Sequence, residues 1–270
     1  PSSYHVESAI KICDNVKGIF IEKPISNSSD SCKRLIEILN EKKVVSFVGH
    51  NMMFHPIIEN IIKFHDSNDV GSIINIQCQA GQWLPDWHPY EDYKNAYYAR
   101  KDLGGGVSLT LIHEIHLVLE LAGLPISVYG EISEYNQLDV DVDVCSDLMI
   151  KHNTGAVSQI HLDYLQRPSH RSGLVTFEKG WVSYDFRKME LIGQIKGGDV
   201  FRIWSNLDHD FNEVYEDQLD KFLCFVEEGR LKHQYDANSA IESVKVVEAF
   251  IQSNSSGKKV YMERNERFSF

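Results

Sequence analysis

Residues 18–51 read GIFIEKPISNSSDSCKRLIEILNEKKVVSFVGHN. The runs GIFI and VVSFV are nearly all apolar rather than alternating. Such runs mark strands buried on both faces, which is the condition of a parallel sheet. Between them, Ser and Asp residues give start signals for a helix that carries Leu35, Ile36, Ile38 and Leu39. Upstream, SYHVESAIKICDNV places Val6, Ala9, Ile10, Ile12 and Cys13 on one helical stripe. The order helix, strand, helix, strand predicts an α/β unit with its sheet covered on both sides.

After Asn51 the pattern changes. FHPIIENIIKFHDSND reads as a helix, and GSIINIQCQAGQWL alternates as a strand with one buried face. An aromatic, turn-rich loop follows. From Ser127 the chain is mostly strand-like, in SVYGEISEY, CSDLMIKHN, AVSQIHLDYL, SGLVTFEKG, WVSYDFR, MELIGQI and VFRIWS. Turn signals at 153–155 and 178–180 separate several of them, as in an antiparallel sheet. Two helices, around EDQLDKFLCFVEEG and NSAIESVKVVEAFIQSN, end the pattern. The expected division is an α/β piece at 1–51 and an α+β domain at 52–270.

The 270 residues are 43% hydrophobic and 24% charged, so a substantial core is available. The net charge of −12 disfavours nucleic-acid partners, whose phosphates it repels. No apolar run approaches the roughly 20 residues of a membrane helix, so no membrane partner is expected. The five cysteines are scattered and odd in number, which predicts a reduced, cytoplasmic chain.

Four features carry candidate chemistry. In an open parallel sheet, ligands bind beyond the carboxyl ends of the strands. Glu22 and Lys23 stand at such an end, and Pro24 stops the strand. A lysine there can donate to a substrate oxygen, although a solvated charge pair is the plainer reading. The stretch KDLGGGVSLTLIHEIHLVLELAG, residues 101–123, reads as one buried helix behind three glycines. The glycines allow a sharp turn or a close approach to a ligand. On one helix Thr110, His113 and Leu117 share a face. His113 and His116 are then either core histidines or cleft residues. A metal pair lacks a third ligand and the zincin spacing, so no metal site is expected. Asp139, Asp141 and Asp143 alternate with valines, as on one face of a solvated strand edge. The aromatic loop holds Trp83, Trp87, His88, Tyr90, Tyr93, Tyr97, Tyr98 and Arg100, which suit sugar stacking and a protein interface equally.

Three motifs in order, EKP at 22–24, GHNMMFHP at 49–56 and GGGVSLTLIHEIH at 104–116, resemble the glucose–fructose oxidoreductase/inositol dehydrogenase (Gfo/Idh/MocA) family. The resemblance runs along nearly the whole chain. It implies a truncated Rossmann-type parallel sheet followed by an open-faced, mainly antiparallel sheet with flanking helices. It implies hydride exchange between NAD or NADP and a sugar or sugar-derivative hydroxyl or ketone, in surface-polysaccharide or sialic-acid-like sugar metabolism. By resemblance His113 is the catalytic base and Lys23 holds the reacting oxygen. Pro1, His5, Glu22, Lys23 and Pro24 line the cofactor pocket, and Trp83, Tyr97, Arg100, Thr110 and His113 face the substrate. The open sheet face implies a homodimer or homotetramer. The chain departs from the family at Thr110 and His116, where Asp is usual, and at Met53, where Arg is usual. It contains no Gly-x-Gly-x-x-Gly, so the resemblance implies that a phosphate-binding front half precedes Pro1 in the intact protein. The alternative expectation is a non-catalytic sugar-binding or dimerisation module. A metal-dependent hydrolase built on His113 and His116 is a third reading.

Overall fold

A computed structural model of the chain describes residues 1–67, 70–135 and 137–263. The first part forms helix α1 (Ser2–Ile12), strand β1 (Gly18–Ile21), helix α2 (Ser29–Lys42) and strand β2 (Val45–Val48). The two strands pair in parallel with Phe20 beside Phe47. All four residues of β2 are buried, as an uninterrupted apolar run requires. The start of α2 is capped differently from its local signals. Ser28 makes no side-chain cap bond. Instead the Ser29 amide donates to Glu248 Oε1 at 2.8 Å, from near the far end of the sequence.

Helix α3 (Pro56–Ser67) and strand β3 (Ile73–Gly81) follow. The predicted end of α3 at 68–69 lies outside the described residues. The aromatic loop is not shapeless. It winds through four short 3-10 turns between Leu84 and Leu103. Next come helix α4 (Val107–Thr110) and helix α5 (His113–Ala122). Strands β4 (Pro125–Ile132), β5 (Cys145–His152), β6 (Val157–Asp163), β7 (His170–Phe177), β8 (Gly180–Asp185), β9 (Glu190–Ile195) and β10 (Phe201–Ser205) then run in succession. Helices α6 (Asn212–Glu228) and α7 (Ala237–Ser256) and a short strand β11 (Val260–Tyr261) complete the described chain.

The large sheet has nine strands in the order β10-β9-β8-β7-β3-β6-β5-β4-β11. Every pairing is antiparallel except β3 with β6. One face buries Ile76, Leu148, Ile160, Leu162 and Val175, with α5 and α7 packed on the sheet. Each such side chain contributes about 1.5–3 kcal/mol on burial. The other face presents Gln77, Tyr129, Met149, Gln159 and His161 along an open groove of 670 Å³. Helix α7 also packs on α2 and β2, and Val48 N donates to Tyr235 O at 2.8 Å. The end of the chain therefore returns to the α/β piece, so the two units share a core rather than meeting only at residue 51.

Two local expectations change. Residues 139–143 are irregular with a bend at 141–142, not strand, and Asp139 takes a φ of +52°. Their carboxylates bond to the neighbouring loop instead. Asp141 accepts from Lys101 N at 3.0 Å, and Asp143 accepts from Ser108 N at 2.9 Å. The single helix expected over 101–123 is broken at Leu111–Ile112, and the segments Lys101–Thr110 and His113–Ala122 meet at 50°. No single helix among the described residues is long and apolar enough to cross a membrane.

Candidate active site

The site forms where β1 ends and the α4–α5 break begins. Gly106, with φ at +113°, turns the chain into α4, and a β-carbon there would strike the Asp143 carboxylate. At Gly105 a β-carbon would strike the Tyr97 carbonyl. These glycines serve the turn and the loop's own close packing, not the approach of a ligand. Because the first helix stops at Thr110, its last carbonyls lack helical partners. Lys23 Nζ donates to the Thr110 carbonyl oxygen at 2.6 Å. Burial, with the nearby Arg171 cation, pulls the Lys23 ammonium down to about 8, against the opposing pull of Glu114 and Glu22.

His113 is buried, at the start of α5. Its Nδ1 has no hydrogen-bond partner among the described residues. Burial first, then the Lys23 and Arg171 cations, hold its pKa well below the usual histidine range. The imidazole is therefore neutral near pH 7 and available as a base. His50 meets it edge-on at 5.9 Å. The same His50 ring stacks on His116 at 3.6 Å, nearly parallel at 8°. Among the described residues neither His50 nitrogen has a hydrogen-bond partner, nor does Asn51 Oδ1. His116 Nδ1 lies 3.3 Å from Ser243 Oγ, so it is tied to the core. Glu114 faces away from His113 in function: it is buried and ion-paired to Arg171, Nε to Oε1 at 2.7 Å.

These groups surround a cleft of 350 Å³ whose lining includes Glu22, Lys23, Asn51, Tyr97, His113 and Arg171. The unpartnered polar atoms and the position at the carboxyl ends of β1 and β2 fit the nicotinamide end of a dinucleotide. A second hollow of 330 Å³ adjoins it and shares Trp87, Leu111, Arg171 and Phe211.

Of the residues expected from sequence, Glu22, Lys23, Tyr97, Thr110 and His113 line the cleft together. Pro1, His5, Pro24, Trp83 and Arg100 are not part of that lining. Pro1 is exposed at the head of α1. His5 Nδ1 lies 2.8 Å from the Pro24 carbonyl and so buttresses the EKP turn from behind. Trp83 lies under the Arg167 guanidinium at 4.4 Å, and Arg100 pairs with Asp102. Sequence reading missed Arg171 from β7 and Phe211, Tyr215 and Gln218 from the start and body of α6, Phe211 being the residue just before the helix. No local pattern links those elements to the EKP turn. His50 and Asn51 were visible inside GHNMMFHP but carried no role.

Residues 1–50 match the family model described as "Oxidoreductase family, NAD-binding Rossmann fold". Residues 58–183 match the "GFO/IDH/MocA C-terminal domain". The chain is 27% identical over 123 residues to 2,7-anhydro-N-acetylneuraminate hydratase of Escherichia coli (strain K12), a match covering 46% of this chain and 32% of that protein. It is 24% identical over 249 residues to scyllo-inositol 2-dehydrogenase (NAD(+)) of Bacillus subtilis (strain 168), covering 89% of this chain and 70% of the relative. The chain thus spans about a third of the hydratase and more of the dehydrogenase. Levoglucosan dehydrogenase, solved with NADH and levoglucosan, superposes with a TM-score of 0.88 at 17% identity, over 98% of this chain and 78% of that one. That likeness concerns the fold. Two family models in succession, with the EKP lysine and the α5 histidine meeting in one cleft, place this chain in the Gfo/Idh/MocA family of NAD-binding oxidoreductases.

Proposed function

We propose that the intact protein interconverts a hydroxyl and a ketone on a sugar or sugar derivative, with NAD or NADP as redox partner. The observation that carries this reading is the meeting of Lys23 and neutral His113 in one cleft beside the ends of β1 and β2. When bound, the nicotinamide supplies the hydride acceptor or donor. The chain's own residues handle position and proton. His113 takes the hydroxyl proton at Nε2, since its Nδ1 is enclosed. Lys23, still largely protonated at pH 7, stabilises the negative charge that develops on the oxygen. Tyr97 and Trp87 offer aromatic faces in the cleft wall. The relatives' printed names support sugars as the substrate class, including sialic-acid-like ones. The five free cysteines support a cytoplasmic setting. The open groove on the large sheet, with exposed Tyr129 and Met149, supports a second copy of the chain as partner.

The test is nicotinamide absorbance on mixing the intact protein with NAD or NADP and a panel of sugars and cyclitols. Cofactor- and protein-dependent turnover with a sugar is the expected result. A non-catalytic module is the second reading. It is favoured by Thr110, which meets Lys23 through a carbonyl where a carboxylate is usual in the family. Sugar binding without turnover, in protein that binds NADH, would support that reading.

A further inference from the structure

The second hollow has a chemistry of its own. It is lined by His55, His170, Arg171 and Arg187 together with Trp87 and Phe186. The chain carries 39 acidic and 27 basic residues, yet across both hollows Glu22 is the only acidic lining residue, against Lys23, Arg171 and Arg187. Glu114 holds Arg171 from one side. Among the described residues, Nη1 meets only the weak acceptor Met52 Sδ, at 3.4 Å. A guanidinium has five donors, so Arg171 keeps capacity for an acidic ligand. No carboxylate among the described residues pairs with the Arg187 side chain. His55 is fully buried, and its Nε2 has no hydrogen-bond partner among the described residues, so the hollow also holds an unmet polar group. The earliest residue lining it is His55. Nothing from the α/β piece enters, which argues against a cofactor phosphate as the anion.

We propose that this hollow is a carboxylate subsite and that the substrate is an acidic sugar. Its carboxylate bridges Arg171 and Arg187 while the reacting hydroxyl reaches His113 on the other side of Arg171. Planar guanidinium pairs match a carboxylate in geometry and strengthen when partly desolvated. Glu114 is then a positioning residue that fixes the Arg171 plane. This assignment rests on the oxidoreductase reading for the hydroxyl end but not for the carboxylate end.

The experiment compares matched pairs, D-glucuronate with D-glucose and D-galacturonate with D-galactose, on the intact protein. Binding is read by tryptophan emission, because Trp87 lines both hollows. Turnover is read in parallel by nicotinamide absorbance. At least one uronate is expected to bind about tenfold or more tightly than its neutral partner. Arg187→Gln should shrink that ratio several-fold, whereas Lys188→Gln, which removes a neighbouring charge paired to Asp185, should leave it unchanged. Equal binding within each pair, or a ratio that Arg187→Gln does not move, overturns the proposal even if a neutral sugar is oxidised. Uronate binding that depends on Arg187 but yields no turnover sustains the subsite and sinks the oxidoreductase reading instead.

Discussion

At the residue scale the site rests on two groups whose charge states are set by burial. His113 stays neutral, and Lys23 loses its proton at about 8 rather than in the usual lysine range. If Lys23 acts as a cation, kcat/KM is level between about pH 6.5 and pH 8 and falls as pH rises through about 8. Lys23→Met should abolish that alkaline limb and lower kcat/KM by about 10²–10³-fold. A wild-type profile that keeps rising through pH 9 contradicts this role. Lys23 and His113 were legible in the sequence because EKP closes an apolar strand and His113 interrupts an apolar helix. Arg171 was not. It lies in a strand whose side chains are mostly half-buried, and nothing around it signals that its partner is Glu114. His50 was hidden for another reason. Its environment is made by stacking on His116, a contact set by the crossing of β2's end and α5.

At the element scale, the break between α4 and α5 does most of the positioning. An unbroken helix would put Thr110 and His113 on one face with no free carbonyl for Lys23. The start of α4, one turn before the break, is held from outside by Asp143, whose carboxylate accepts from Ser108 N at 2.9 Å and from Ser146 Oγ at 3.0 Å. Asp143→Ala should cost about 1–2 kcal/mol of stability, as loss of a helix cap does, and lower activity beyond what the melting shift explains. Denaturant unfolding of the variant beside wild type measures the first, and kcat/KM at a temperature where both are folded measures the second. Unchanged stability contradicts the capping role. Alternating Asp and Val read as a strand because period-two patterning is the strand signal. The positive φ of Asp139 and the tertiary bonds of Asp141 and Asp143 override it. Likewise the cap on α2 comes from Glu248, a long-range partner that no start signal near Ser28 reveals.

At the whole-molecule scale the parallel pair and the mainly antiparallel sheet were legible, since apolar runs and alternation report burial directly. The single parallel pairing of β3 with β6 and the return of α7 onto the α/β piece were not, because both depend on which strands and helices meet far apart in sequence. The fold also buries several neutral histidines. Burial lowers the pKa of His55 and His233 to about 4, and that of His50 and His113 well below the usual range. Below about pH 6.5 the unfolded chain takes up protons that the native state refuses. Stability therefore falls as pH drops from about 6.5 toward 4. His161, raised to about 9 chiefly by its hydrogen bond to Asp163, acts the other way: its contribution is present below about 6.5 and is lost as pH rises through about 9. A melting temperature that drops between pH 7 and pH 5, with a shallower drop in His233→Gln, is expected; a flat profile contradicts it. If a second copy docks on the open sheet face as proposed, Met149→Asp should shift light-scattering mass toward the monomer, and an unchanged mass contradicts that docking. The proposed role of neutral His113 is that of base in a nicotinamide-linked sugar oxidoreductase. Its most direct measurement is turnover of a sugar substrate by intact His113→Gln protein, with NADH affinity determined on the same sample by fluorescence. The expected result is a fall in kcat/KM of about 10²–10⁴-fold with NADH affinity within about twofold of wild type; turnover retained within a few-fold would contradict the account.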